Sequence, residues 1–380
     1  MGKTPVGKRP SIAGPIGEYN VRDMLVRVLF GVLLIGVLSA RSIAKGGEST
    51  PKTDRHLFQE MTPAGLRYGY VDHAGREVIP ARFKEAAPFF DGAAAVLIDS
   101  LWGAIDDTGR MIVPAKYQNP FRFQEDLAAV RLRQGIRNLS GYIDRTGRLV
   151  IPLLSREYPG EFSNGFAVDR AKGYIDRSGL LAIPIRPDWQ DWTGFTEHLA
   201  PVKIAGHWGF INNRGRFVIP PRFDPAMMYD SGVGDLYAEG VHDPLCFSEG
   251  LAAVSVNRKA GFIDHSGRFV IEPRFDNALQ FAEGLAPVRI DKLWGFVDRT
   301  GRMIIKPRFE DAYGFAEGLA IVRINGLLGF IDKTGAVLIH PVYESASDFS
   351  AGVARVGIPG KARIYIDKHG ERIPAVPDQR

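Results

Sequence analysis

Side chains that could bind a metal ion gather in one stretch of the sequence, residues 225–245. His242 could combine there with a carboxylate of Asp230, Asp235 or Glu239. Zinc accepts such nitrogen and oxygen ligands, but known zinc sites use characteristic spacings that these residues do not match. The stretch therefore carries no prediction of a metal site.

Enzymatic motifs are absent from the rest of the sequence. It contains no Gly-x-Ser-x-Gly, His-Glu-x-x-His or phosphate-binding loop, and its eight histidines are scattered. Cys246 is the only cysteine, which excludes an intramolecular disulfide, and we expect it to be a small buried side chain. We predict a protein without enzymatic activity, catalytic residues or cofactors.

A carboxylate recurs along the chain in the pattern Asp-x-x-Gly. The positions are Asp72, Asp106, Asp144, Asp176, Asp264, Asp298, Asp332 and Asp367, with Asn212 in one further copy. Calcium loops supply several oxygen ligands each, whereas each of these segments supplies one. Aspartate can bond the backbone two residues on, and glycine accepts a positive φ. We therefore predict tight turns rather than calcium sites.

These turns belong to a segment that the chain repeats nine times. Eight copies carry an equivalent glycine, and Tyr365 marks a truncated ninth copy: Gly69, Gly103, Gly141, Gly173, Gly209, Gly261, Gly295 and Gly329. Most copies are about 34 residues apart. Self-similarity at this length predicts an array of small units that bury a core only by stacking on one another.

Each copy is predicted to form three antiparallel strands joined by short turns. In the clearest copy the strands cover residues 285–290, 294–298 and 302–306. We expect Pro307 to end the third strand, because proline cannot donate a hydrogen bond to a ladder.

The repeated strands predict the fold class. Phe296 and Val297 are adjacent and both apolar, so both faces of each small sheet should be covered. We predict an all-β tandem repeat array of three-stranded antiparallel units, open and solenoid-like, over residues 56–374. A β-propeller is the alternative, although a propeller blade usually takes about 40–45 residues.

Two aromatic positions recur in the copies and are predicted to form the core. One set is Phe83, Tyr117, Phe223, Phe275, Phe309 and Tyr343, and the other is Phe90, Phe123, Phe162, Phe195, Phe247, Phe281, Phe315 and Phe349. Arginine recurs beside the first set, at Arg82, Arg222, Arg274 and Arg308. These arginines could pair with acids of neighbouring units, such as Glu249, Glu283 and Glu317, or form a strip that binds an anionic ligand.

Two copies depart from the pattern and contain the candidate binding residues. Trp189 and Trp192 replace the usual Pro-Arg-Phe segment of the fourth copy, where they either stack on a sugar or peptide or repack the core. The fifth copy carries an insertion from Pro225 to Leu245, read either as a tolerated surface excursion or as a contact loop for a partner. Its candidate contact residues are Met227, Met228, Tyr229, Tyr237 and His242.

The N-terminal 44 residues predict an export signal. Residues 28–40 are uncharged and lie between Arg27 and Arg41. The run is short for a membrane span, which needs about 20 apolar residues, but it fits the apolar region of a signal peptide. Small residues precede the bond after Ala44, so we expect cleavage there.

Residues 45–55 are predicted to be a flexible linker and residues 375–380 a tail. The alternative to cleavage is an uncleaved membrane anchor formed by residues 24–44, and either Met1 or Met24 could be the true start. We predict a periplasmic or extracellular protein, or one that this anchor tethers to the membrane.

The charge of the chain argues against nucleic acid as a partner. The net charge is +5, but residues 1–44 alone carry six basic and two acidic residues. The repeat array is therefore nearly neutral, whereas a general nucleic-acid surface is strongly basic.

The repeated residues resemble the WG repeat family, also called KWG repeats. The resemblance rests on Trp102-Gly103, Trp208-Gly209 and Trp294-Gly295, on the Gly-Phe-Ile core at Gly329, and on the Phe-x-Glu-Gly-Leu-Ala motif from Phe315. The family implies an all-β array with a role in binding or scaffolding, and it supplies no catalytic residues. We predict a partner protein or cell-envelope component, with polysaccharide or peptidoglycan binding as the alternative.

Overall fold

The structure is a computed structural model that describes residues 55–72, 75–134, 137–153, 160–224, 245–350, 352–361 and 363–373. In these ranges the regular structure consists of strands only, arranged in nine antiparallel sheets. No helix among the described residues could cross a membrane. The predicted all-β repeat array is therefore confirmed.

The first five sheets follow one another along the chain. They are β1 His56–Thr62, β2 Gly65–Val71 and β3 Glu77–Phe83; β4 Glu85–Ala86, β5 Ala94–Ile98, β6 Leu101–Ile105 and β7 Met111–Tyr117; β8 Ala128–Gln134, β9 Arg137–Ile143 and β10 Leu149–Leu153; β11 Phe166–Asp169, β12 Gly173–Asp176 and β13 Leu181–Pro184; and β14 Trp189–Trp192, β15 Ala200–Ile204, β16 His207–Ile211 and β17 Phe217–Phe223.

The last four sheets continue the same order. They are β18 Ala252–Val256, β19 Lys259–Ile263 and β20 Phe269–Phe275; β21 Asn277–Ala278, β22 Leu285–Ile290, β23 Leu293–Asp298 and β24 Met303–Phe309; β25 Asp311–Ala316, β26 Leu319–Ile324, β27 Leu327–Ile331 and β28 Val337–Tyr343; and β29 Ser345–Ala346, β30 Val353–Gly357 and β31 Ile364–Asp367.

The three predicted strands are present in the first eight sheets, and four of these sheets add a further strand at the start. The second, fifth, seventh and eighth sheets each have four strands, whereas the ninth has the added strand, β29, and only two of the predicted strands. In the seventh sheet the third predicted strand also runs further than expected, because Pro307 lies inside β24 rather than after it. Since β24 is the outer edge of its sheet, the missing N–H of Pro307 costs no ladder bond.

The repeated glycine meets the backbone of the next strand at close range. Trp294 pairs with Phe309 and Phe296 with Ile305, and the register shifts between these pairs at a β-bulge. A Cβ built on Gly295 would lie 2.7 Å from the nitrogen of Pro307 and closer still to the oxygen of Ile305. A side chain at this position would collide with the bulged edge strand that follows, so the position requires glycine.

The ninth copy shows why this glycine can be lost. Ile364 occupies the corresponding position in β31, and no long strand follows it among the described residues. Up to Ile373, where the described residues end, one bridge between Ile366 and Arg372 continues the sheet. In this described segment no bulged strand lies opposite Ile364, so the position tolerates a branched side chain.

The core lies between sheets, because each sheet is apolar on both faces. Phe296 and Val297 are both 0% exposed, as their adjacency predicts. Phe296 belongs to a cluster that also contains Phe315 and Val322 of the following sheet, while Val297 belongs to a cluster with Phe281. Every unit thus shares its core with its neighbours.

The two ends of the array are in contact. Where the structure describes the chain, no hydrogen-bonded sheet spans two units and no sheet closes into a barrel, which fits the predicted open array. Nevertheless, Gln59 Nε2 in β1 donates to the carbonyl oxygen of Arg363, just before β31, at 2.8 Å. Tyr365 also packs against the core cluster of Tyr70 and Phe83 in the first sheet. A contact between the first and last units is what a β-propeller, the alternative predicted from the sequence, would require.

The close approach at Gly295 yields a stability prediction. Gly295→Ala should lower the free energy of unfolding by about 3 kcal/mol, because the new Cβ overlaps backbone atoms that cannot move aside. Gly318→Ala is the matched control: its φ is +88°, but no atom lies within 4 Å of the added Cβ. It should cost about 1 kcal/mol, from backbone strain alone. Urea denaturation of both variants would refute this explanation if the two costs were equal.

Candidate functional site

A turn of unusual backbone conformation opens most units. In the seventh sheet it is Glu283-Gly284, which joins the short first strand to β22, and both residues have positive φ, 53° and 87°. Positive φ is uncommon for a residue with a Cβ, so a specific interaction should hold the glutamate.

That interaction is a hydrogen bond to the next unit. The Glu283 carboxylate accepts the N–H of Gly318 at 2.9 Å, and Lys333 Nζ lies 3.2 Å from it. We call the series of such bonds the carboxylate ladder. It consists of Glu125 to Gly165, Glu197 to Gly250, Glu249 to Gly284, Glu283 to Gly318 and Glu317 to Gly352.

Basic side chains of the following unit reinforce the ladder. Lys368 Nζ lies 3.1 Å from the Glu317 carboxylate, and His265 Nε2 lies 2.9 Å from that of Glu197. Each of these two residues directly follows the aspartate of an Asp-x-x-Gly turn. The polar groups of these turns therefore hold neighbouring units together.

The Asp-x-x-Gly segments are tight turns, as predicted. Asp298 Oδ1 accepts hydrogen bonds from the Thr300 hydroxyl at 2.6 Å, the Thr300 N–H at 2.9 Å and the Arg302 N–H at 3.0 Å. The Thr300 bond is the main reason that the pKa of Asp298 is lowered from its ordinary value. Among the described residues, no three His, Cys, Asp or Glu side chains are placed to hold a metal ion.

The recurring arginines do not pair with the ladder carboxylates, which corrects one expectation. Arg82 Nη2 donates to the carbonyl oxygen of Gly109 at 2.7 Å, and Arg274 Nη2 to that of Gly301 at 2.5 Å. Arg222 and Arg308 make the same bond to the next unit. Each guanidinium also lies over the ring of the aromatic residue that follows it, about 5 Å from the centroid.

Trp189 and Trp192 lie in the core rather than on the surface. They begin and end β14, the first strand of the fifth sheet, and are 7% and 9% exposed. Trp189 packs edge-on against Tyr174 of the preceding sheet, with ring centroids 6.2 Å apart. A ring that stacks on a sugar needs a free face, so this burial fits the second of the two readings, local repacking of the core, rather than stacking on a ligand.

The insertion lies outside the described residues, and so do Met227, Met228, Tyr229, Tyr237 and His242. Its two ends are described. Asp224 bridges to Ser255 in β18 through a backbone bond of 2.9 Å, and Leu245 is 1% exposed. Cys246 is buried, as predicted. The insertion thus starts and ends at anchored residues.

One predicted core position was assigned to the wrong residue. Phe90 is 46% exposed, whereas Phe89 packs against Tyr70 with ring centroids 4.7 Å apart. The bridge from Phe90 to Ala93 matches the bridge from Ala282 to Leu285, so Phe89 is the true equivalent of Phe281. The spacing to the following Asp-Gly pair would have revealed this.

Comparison with known families gives a repeated match. The family model described as "WG containing repeat" matches residues 68–102, 102–134, 141–168, 208–235, 261–294, 294–327 and 329–361. These matches cover more than half of the chain. No curated protein matches the sequence.

Comparison with solved structures gives similarities at low sequence identity. The crystal structure of "the eukaryotic initiation factor" superposes with a TM-score of 0.55 and 11% identity, over 84% of this chain and 95% of that one. The WD40 beta propeller domain of Doa1 gives a TM-score of 0.32 and 10% identity, over 74% and 92%. An extracellular domain of a putative one component system from B. thetaiotaomicron gives 0.31 and 11%, over 83% and 59%.

The turn geometry yields a prediction about pH. A lowered folded-state pKa means that the turn stabilises the fold above the unfolded-state pKa of about 3.9, and that this stability is lost as pH falls through the folded pKa. Thr300→Ala should raise the pKa of Asp298 towards its ordinary value, as measured by NMR titration of its carboxyl carbon.

Thr300→Ser is the control for this variant. Serine plays the same part in two other copies, where Ser178 and Ser266 donate to their aspartates at 2.6 Å. The serine variant should therefore keep the pKa of Asp298 low. Equal pKa values in the two variants would refute the assigned cause.

Proposed function

This chain belongs to the WG repeat family, and we propose that it is an exported, non-enzymatic scaffold that binds another protein through the insertion at residues 225–244. The observation that carries the proposal is the contrast between that insertion and the regular connections of the array.

The regular connections are short and are used by the array itself. Only five residues separate Phe275 from Phe281, and two of them, Asn277 and Ala278, form the strand β21. The corresponding Phe223 and Phe247 are separated by 23 residues. Five residues suffice to join two sheets. The presence of the additional residues therefore supports a role other than joining them.

The composition of the insertion suits a protein partner. Its methionines and tyrosines, Met227, Met228, Tyr229 and Tyr237, are residue types enriched in protein interfaces. Acidic residues stand between them and would restrict which partners are accepted. Glycan binding is less well supported, because the two tryptophans on which it depended are buried.

The anchored ends of the insertion support a contact role as well. The Asp224 bridge and the buried Leu245 hold the chain where the insertion begins and ends. A loop tethered at both ends loses less conformational entropy on binding than a free tail does.

Replacing residues 224–246 with the sequence of the regular connection, residues 276–280, tests the partner site. We expect cross-linking of the exported protein in intact cells to lose its main protein adduct, while the melting temperature stays unchanged. The proposal fails if the same adduct forms at the same yield.

A second variant separates sequence from length. Changing Met227, Met228, Tyr229 and Tyr237 to serine keeps the length of the insertion but removes its interface residues. This variant should also lose the adduct. If it keeps the adduct, the contact residues that we propose are wrong even where the deletion abolishes binding.

Export is the other part of the proposal, and the apolar run at residues 28–40 between two arginines supports it. N-terminal sequencing of the protein from the extracytoplasmic fraction should find Lys45 as the first residue. Recovery of the chain only from the cytoplasm would refute export, and a start before Val28 in a membrane fraction would favour the uncleaved anchor.

A further inference from the structure

A groove separates the edge of the seventh sheet from the eighth sheet. Its volume is about 460 Å³, and it is lined by Arg308, Phe309, Ile324, Gly335, Ala336 and Val337. Small-molecule sites commonly have volumes of about 300–1,000 Å³. The groove combines an apolar wall with one permanent positive charge.

The groove exists because one repeated side chain is shortened here. Three other junctions have the same Arg-aromatic pair, and the first residue of the following edge strand packs against that aromatic residue's cluster. These residues are Met111 beside Phe83, Phe269 beside Phe223 and Met303 beside Phe275. Val337 holds this position in the eighth sheet and is absent from the cluster of Phe309.

A second residue that lines the groove, Ala336, is also shorter than its equivalents. The residue after the turn glycine is arginine at those three junctions, namely Arg110, Arg268 and Arg302. Ala336 takes its place in the eighth sheet and is exposed. Two positions that are long at those three junctions are thus short beside the groove.

The guanidinium of Arg308 is held in place but retains donors. Its Nη2 donates to the Gly335 carbonyl oxygen, and its plane lies 5.0 Å from the centroid of the Phe309 ring. These contacts leave Nε and Nη1 available to a ligand. A guanidinium fixed in this way suits a carboxylate, which accepts two of its N–H groups.

The nearest acidic turn does not compete for that charge. Asp332 is not among the lining residues, and its Oδ1 accepts bonds from the Thr334 hydroxyl at 2.6 Å and from the Thr334 and Ala336 N–H groups at 2.9 Å. The Asp332 carboxylate is therefore engaged by hydrogen bonds within its own turn.

We propose that this groove binds a small organic anion with a compact apolar body, of the aryl or branched aliphatic carboxylate class. The carboxylate pairs with Arg308, and the apolar body fills the place that a methionine or phenylalanine side chain takes at the other junctions. The site is independent of the insertion and of the partner that we assign to it.

Phenylpropionate is a suitable probe, with its neutral amide as the comparison. We expect calorimetric titration of the mature protein to show one site for the acid and at least about tenfold weaker binding of the amide, because a charge-assisted bond is lost. Absence of binding at millimolar phenylpropionate, or equal binding of the amide, would overturn the proposal.

Two substitutions locate the site. Val337→Met restores the residue found at Met303 and should abolish binding by filling the groove. Arg308→Gln should weaken binding of the acid at least about tenfold, whereas Arg274→Gln, at a junction that Met303 fills, should not change it. Unchanged affinity in both Val337→Met and Arg308→Gln would place the ligand elsewhere and refute the assignment.

A gain of binding is the strictest test. The double substitution Arg302→Ala and Met303→Val copies the eighth sheet into the seventh and should open a matching groove beside Arg274. The stoichiometry should then rise from one site to two, provided that circular dichroism shows an unchanged fold. A folded double variant that still binds one equivalent would contradict the explanation of the groove.

Discussion

No sheet of this protein can bury its own apolar side chains, and this constraint determines the rest of the structure. Each sheet has three or four short strands with apolar residues on both faces, so a single sheet would leave both apolar faces in water. Stacking removes both faces from solvent and makes each unit depend on its neighbours. The polar contacts also join each unit to the next: the carboxylate of one unit holds the backbone turn of the following unit, and so does the arginine that stands beside four of the core aromatic residues.

This dependence explains what could be inferred from the sequence and what could not. Strands and turns follow from local patterns, so Phe296, Val297 and the Asp-x-x-Gly turns were predicted correctly. Contacts between units depend on the angle at which one sheet stacks on the next. The length of the repeat in the sequence does not reveal that angle. The Arg274 guanidinium was therefore expected to meet a carboxylate, although it meets the carbonyl oxygen of Gly301.

The candidate sites, too, could be inferred only in part from the sequence. Local irregularity was visible in the sequence at Trp189 and Trp192, but their burial was not, because it results from packing against Tyr174 of another sheet. The groove beside Arg308 left no strong signal either. It arises from two ordinary residues, Ala336 and Val337, that matter only by comparison with their longer equivalents. In a repeat protein, a missing side chain can therefore carry as much information as an added one.

The contact between Gln59 and Arg363 bears on the number of units. Terminal repeats of an open solenoid need polar outer faces, because nothing covers them. Here the terminal sheets contact each other, and Tyr365 packs against the core of the first sheet. Adding or removing one copy, which an open linear array would tolerate, would separate these contacts or shift them out of register. It would therefore expose apolar surface at both ends at once, so the contact couples the stability of the first unit to the number of units.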